Sequence, residues 1–376
     1  MEESWLQRYK EAGLYTYAGL YAPLLQRLPD DIPTLVKLVK FQTIHRVSLW
    51  RSSRTRDGGE DSLAKKVPFD RLRCEDDLFP TATAMLAEIY RRNSQGFILD
   101  RPIEEKLIIT CRSTSVLLAS ILKSKGIACR VRAGYAAYLA GPYEEVAWDH
   151  WIVECYNSQT NQWVGLDASP VVNEEKIETS NLPSGGFISA PKAWLDIRKE
   201  GRRPPSYYKN TCGITGWRPA MWTLFYDLHS LIGNSEMLYT QVPNYVFGFK
   251  FVPSEEQLAE LDELATLMLD PDSNYTTLRA LWDNTPKFRT LSGGLITPDD
   301  HIPESGKSAG GGGGSSGGDD GGDKKRKKGA DGDDDEKSGE KQKEKHSAKK
   351  ARTEQTVSLE EEDKSGGGEG SCKECE

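Results

Sequence analysis

Apolar residues recur at helical spacing through the first ninety positions of the chain. Trp5, Leu6, Tyr9, Leu14, Tyr17, Leu20 and Leu24 mark a helix across residues 2–28, and Pro29 to Pro33 breaks it. Leu35, Leu38, Val39, Ile44 and Val47 predict a second amphipathic helix over 34–50, on which His45 reads as a partly buried structural histidine. Arg51 to Lys66 is polar and Gly-containing, the composition of a loop, and residues 79–92 make a third helix. Val116, Leu117, Ser120, Ile121 and Ser124 continue the helical spacing over 111–125, where Gly126 is a natural stop and Thr110 a plausible N-cap. The rhythm then changes. Residues 127–135 alternate in part, and 149–156 (DHWIVECY) and 161–167 (NQWVGLD) are rich in β-branched and aromatic side chains. The turn-forming run Asn157-Ser158-Gln159-Thr160 joins the last two as a hairpin.

Beyond the hairpin, Pro183 to Gly186 marks a loop, 190–199 a short helix and Gly201 to Pro205 a break. Trp217, Trp222, Phe225, Leu228 and Leu231 predict a buried helix over 217–240, with Asp227 and His229 as structural residues within it. Val242 to Pro253 is aromatic-rich and suited to lining a cleft, and Ser254-x-x-Gln257 opens an amphipathic helix with a capping box. From Ser305 onward the chain is Gly, Ser, Lys, Asp and Glu without an aromatic residue, and it reads as a disordered tail. There is no internal repeat.

A hairpin centred between Ser158 and Gln159 sets Trp151 opposite Leu166 and Val153 opposite Val164, which makes one apolar face. On the other face His150 falls opposite Asp167. Directly opposed side chains have Cβ atoms about 4.5–5.5 Å apart, within reach of a carboxylate–imidazole hydrogen bond. Cys111 would lie in the first turn of its helix, where unpaired N–H groups and the helix dipole favour a thiolate. A lone cysteine is more often a small buried hydrophobe, and the histidine and aspartate are what shift that reading. Cys111 as nucleophile, His150 as proton carrier and Asp167 as its orienting carboxylate form the candidate catalytic set.

The net charge of −8 divides as −3 in the tail, from 15 Lys+Arg against 18 Asp+Glu, and −5 in the rest. Neither value suits a nucleic-acid-binding domain. Seven cysteines, an odd count with no zinc-ligand spacing ahead of the tail, and an N-terminus without a basic start and apolar run point to a reducing compartment. The longest apolar run, Val116 to Leu122, is too short to span a bilayer. Three weaker signals lie in the tail. Gly306-Lys307-Ser308 lacks the glycine and the strand of a phosphate-binding loop. Lys324, Lys325, Arg326, Lys327 and Lys328 read equally as a nuclear-import signal or as a solvated charged patch. Cys372 and Cys375 form a Cys-x-x-Cys pair without a fold to tune it.

The stretches TCRSTSVLLASILKSKGIACRVRAGY, DHWIVECY and WVGLDASP resemble the catalytic core of the transglutaminase-like superfamily, nearest its single-domain bacterial-type branch. With the flanks the resemblance covers roughly residues 1–295. It implies an α+β, papain-like core in which a nucleophile helix packs on an antiparallel sheet. The expected organisation is a helical flank over 1–100, the core over 101–182, a mostly helical extension over 183–300 and a disordered tail over 305–376. It also implies Cys111, His150 and Asp167 in the roles given above, no cofactor and no metal. Arg112 stands where the calcium-dependent cross-linking enzymes carry tryptophan, and the chain has no room for their β-sandwich and β-barrel domains, so that activity is not expected. The expectation is a cysteine-dependent amide or peptide hydrolase working through a thioester, with acyl transfer to an amine, or binding without catalysis, as alternatives. The expected partner is a peptide, protein or amide substrate, with no nucleic acid or membrane for the folded part and import machinery or other partners for the tail. The expected location is intracellular, cytoplasmic or, through the basic run, nuclear.

Overall fold

The computed structural model describes residues 4–49, 63–71, 75–200, 204–239, 241–243 and 253–290. These lie in the first of the chain's two units, Met1–Thr297; the second is Pro298–Glu376. The tail, with its basic run, its Gly-Lys-Ser and its Cys-x-x-Cys, lies outside the described residues, as do most of 51–66 and of 242–253.

The fold is α+β. Strands β1 (Thr43–His45) and β2 (Leu107–Ile109) form a small parallel pair. Strands β3 (Cys129–Ala136), β4 (Ala147–Asn157), β5 (Gln162–Leu166) and β6 (Phe187–Ser189) form an antiparallel sheet in the order β5-β4-β3-β6, and β7 (Tyr208–Lys209) pairs with β4. A central helix, Cys111–Ser124, lies against β3 and β4 on one side and against the helices Ala22–Gln26, Ile32–Phe41 and Ala82–Arg92 on the other. Enclosed in this way, it is buried from Cys111 to Lys123 rather than along one stripe. Its polar residues are tied inward: Thr114 Oγ1 donates to the Thr110 carbonyl, Ser115 Oγ to the Trp151 carbonyl, and Lys123 Nζ to the Glu11 carbonyl and Asn234 Oδ1. Gly126 ends the helix at φ 75°, with its N–H on the Lys123 carbonyl and that of Ile127 on Leu122.

Two predicted helices are shorter than their apolar spacing suggests. Over 2–28 the helix Ser4–Lys10 stops before an irregular stretch and resumes at Ala22–Gln26. Gly13 sits so close to Asn234 that a Cβ there would stand 1.9 Å from its carbonyl oxygen, so the chain turns under the 234 segment instead of continuing. The 34–50 helix ends at Phe41, and residues 43–45 become β1. The side chain of Gln42 replaces the next helical turn: its Nε2 donates to the Leu38 and Ile98 carbonyls, and its Oε1 accepts from buried Arg101. Thr43-Ile44-His45 can then extend along Leu107-Ile108-Ile109.

The hairpin also differs from expectation. Val153 pairs with Leu166 and Cys155 with Val164, so β5 is displaced by two residues along β4. The cause is the turn. Asn157 Oδ1 accepts from the N–H groups of Gln159 and Thr160, and Asn161 takes the left-handed conformation at φ 54°, which moves the turn centre on by one residue. Behind the sheet, Arg132 makes a bidentate pair with fully buried Asp227 of the Trp217–Leu228 helix at 2.9 and 2.8 Å, and also reaches Glu154. Among the described residues no helix is long and apolar enough to cross a membrane.

Candidate active site

Cys111 is the first residue of the central helix and is 5% exposed. Thr110 holds the N-cap position, but its hydroxyl donates to Asp76 Oδ1 rather than capping the helix. The N–H groups of the first turn, which have no intrahelical carbonyl to bond, therefore open beside Cys111 without a capping side chain over them. One turn further on, the bond from Ser115 to the Trp151 carbonyl pins this end of the helix to β4 next to His150.

His150 lies in β4, buried, with Gly134 of β3 as its ladder partner. A Cβ on Gly134 would stand 2.3 Å from the Ile188 carbonyl oxygen of β6, so glycine is what lets β6 close over this part of the sheet. Asp167 follows β5 directly. A displacement of two residues keeps every side chain on its own face, and Asp167 meets His150 diagonally instead of squarely. His150 Nε2 donates to Asp167 Oδ2 at 2.7 Å. The other oxygen, Oδ1, accepts the Ser169 N–H, and Oδ2 also takes the Tyr138 hydroxyl at 2.7 Å. A buried carboxylate accepting three hydrogen bonds is satisfied as an anion. Burial pushes the Asp167 carboxyl up, and the charge and hydrogen bond of His150 outweigh this and hold it below its ordinary value.

With Nε2 committed to Asp167, Nδ1 is the nitrogen that faces the Cys111 thiol, to which His150 is hydrogen-bonded. Burial raises the Cys111 thiol, but the charge and hydrogen bond of His150, and after them His45, bring it down to about 5. Burial likewise disfavours a charged His150, and Asp167 and the thiolate overcome it and raise the ring well above its ordinary 6.5. Thiolate and imidazolium thus stabilise one another.

Three neighbours were not legible as site residues. His45, the last residue of β1, is buried and hydrogen-bonded to Cys111. Tyr239 sets its hydroxyl 3.5 Å from Sγ and packs edge-on against Trp151 and Tyr226. Tyr138, beyond β3, packs edge-on to His150 besides holding Asp167. Continuous helical spacing through 34–50 hid His45; the β-branched pair Thr43-Ile44 just before it was the available signal. The tyrosines come from turns and irregular chain, which carry no periodicity.

Arg112 turns away from the thiol. Its guanidinium stacks 4.4 Å over Tyr15 and donates to the Pro80 and Glu236 carbonyls, tying the helix start to the segment that carries Tyr239. Asp149, half-buried beside His150, accepts the Thr211 hydroxyl, and burial and the Cys111 charge push its carboxyl up to about 7. His229 and Asp227 are taken up by structural contacts, His229 with the Phe288 carbonyl and Asp227 with Arg132. Among the described residues no three His, Cys, Asp or Glu side chains converge as metal ligands would.

No protein-family profile matches the chain, and no curated protein matches it. Among solved structures it is similar to a protein of Cytophaga hutchinsonii provisionally described as a cysteine protease, at 12% identity and a TM-score of 0.28. The alignment takes in 50% of this chain and 46% of that one, so the chain spans about half of that protein's length.

Proposed function

We propose that the protein is a cysteine-dependent hydrolase of amide or peptide bonds, built on a transglutaminase-like core. The observation that carries the reading is the buried Cys111–His150–Asp167 array, with its thiol held down to about 5. In the first step Cys111 Sγ attacks the substrate carbonyl carbon and the carbonyl π pair moves onto oxygen. As the intermediate collapses the C–N bond breaks, His150 Nδ1–H protonates the departing amine, and a thioester remains. Neutral His150 then takes a proton from water, the resulting hydroxide attacks the thioester, and the carboxylic acid leaves as the thiolate reforms. Asp167 keeps the ring oriented and stabilises its charged form.

A second reading, transfer of the acyl group to an amine, is favoured by one feature. The sulfur is nearly closed off, with Tyr239 against it, which restricts the water that would otherwise resolve the thioester. Incubation with a library of peptidyl aminomethylcoumarins, with and without hydroxylamine, followed by intact-mass detection of an acyl adduct on Cys111, tests both. Fluorophore release with an adduct that Cys111→Ser abolishes is the expected result. A Cys111 that forms no adduct and alkylates no faster than Cys129 would overturn the proposal.

A further inference from the structure

Two histidines touch the Cys111 sulfur, and their ring nitrogens are committed in opposite ways. His150 spends its N–H on Asp167, so an unprotonated ring turns a lone pair to the thiol and can take its proton. His45 does the reverse. Its Nδ1 accepts the Val47 N–H at 3.2 Å, which leaves Nε2–H as the donor to Sγ. A ring whose only lone pair is already engaged cannot act as a base toward the thiol. It can only donate.

Resting on the reading of Cys111 as nucleophile, we propose that His45 is a catalytic oxyanion donor, whose imidazole Nε2–H binds the carbonyl oxygen as it becomes charged. When the Sγ–C bond forms, the sulfur loses its negative charge and the oxygen one bond away from the attacked carbon gains it. A donor already within hydrogen-bond reach of the sulfur needs only a small displacement to follow that charge. His45 transfers no proton. It lends a hydrogen bond while the oxyanion exists and returns to the thiolate when the C=O bond reforms. The setting is rigid, as such a donor requires: His45 pairs with Ile109, two residues before Cys111, and Ile44 is packed with Leu49, Val67 and Ile108 in a small core of its own. The uncapped first turn of the central helix begins at Cys111 itself, and its N–H groups can supply a second donor. Tyr239 also reaches the sulfur, from a half-exposed position.

The test compares two reactions of Cys111 in the full-length protein. Iodoacetamide alkylates the thiolate by displacing iodide and forms no oxyanion; 4-nitrophenyl acetate acylates it through one. Rate constants for both, read at Cys111 by mass spectrometry above the thiol's titration, are expected to diverge in His45→Ala. Acylation should fall by roughly 10²–10³-fold, with alkylation within a few-fold of the unaltered protein. His45→Gln, which restores an N–H at similar reach, should recover much of the loss, and the shorter His45→Asn should not; the Gln/Asn comparison carries the test if the alanine variant fails to fold. Equal losses in the two reactions, or none, overturn the oxyanion role and leave Cys111 as nucleophile intact. A Cys111 that reacts with neither reagent faster than Cys129 in the unaltered protein overturns both.

Discussion

The central helix borders buried thiols in opposite states. At its start Cys111 is held down to about 5; under its later turns Cys129, whose thiol faces the Ala119 carbonyl, is pushed up to about 12 by burial. Cys155, the ladder partner of Cys129, is pushed up to about 11 for the same reason. Burial raises all three. What separates Cys111 is a pair of imidazoles that the interior around Cys129 and Cys155 lacks, so the lowered thiol here is made by its neighbours and not by exposure.

The sharpest way to break this comparison is to remove the sulfur. Cys111→Ala should lower turnover of any substrate by roughly 10⁴-fold or more with an unchanged melting temperature, whereas Cys129→Ala should cost stability and leave activity per folded molecule intact; the two variants assayed side by side decide it. Asp167→Asn is expected to cost about 10²–10⁴-fold, because the amide can hold His150 in the wrong tautomer. An activity loss without a change in the pH profile would count against that role.

Asp227→Ala tests the other region. It strands Arg132 in the interior with only Glu154 and should destabilise the fold by about 3–5 kcal/mol in chemical denaturation, while Cys111 alkylation in the folded fraction stays as before. The pH dependence has a defined sign. The thiolate is lost as pH falls through about 5, so Cys111 alkylation should be level near neutrality and drop below that point, while Cys129 and Cys155 stay unreactive until the protein unfolds. Turnover should also fall on the alkaline side, above the ordinary 6.5 of histidine, as His150 loses the proton it donates. His150→Ala should move the alkylation midpoint up to about 8.5 or higher. The smallest effect expected is that of Tyr138→Phe, which removes one hydrogen bond to a charged carboxylate, about 1.5 kcal/mol or close to tenfold in kcat.

Much of this arrangement was legible because it is local. Alternation along 149–156 and 161–167 put His150 and Asp167 on one face, and a two-residue error in register left them there, since the side-chain period of a strand is two. The helix opening at Cys111 was marked by Thr110 before it and Gly126 after it. What escaped was non-local. His45 reaches the thiol through a pairing of two three-residue strands, and a helical rhythm that runs unbroken through 34–50 conceals the first of them. The turn centre escaped because it depends on one side chain, Asn157, choosing which backbone N–H groups to hold.

The pairing of β1 with β2 has a consequence for the nascent chain. Thr43 and Leu107 are 64 residues apart, and closing that span costs entropy that only a largely assembled interior repays. The helix and the hairpin can form early from nearby residues and bring His150 to the thiol, but until the long closure is made His45 is not held beside it. The second imidazole therefore arrives last, and a molecule caught half-folded carries a thiol with one of its two histidine neighbours missing.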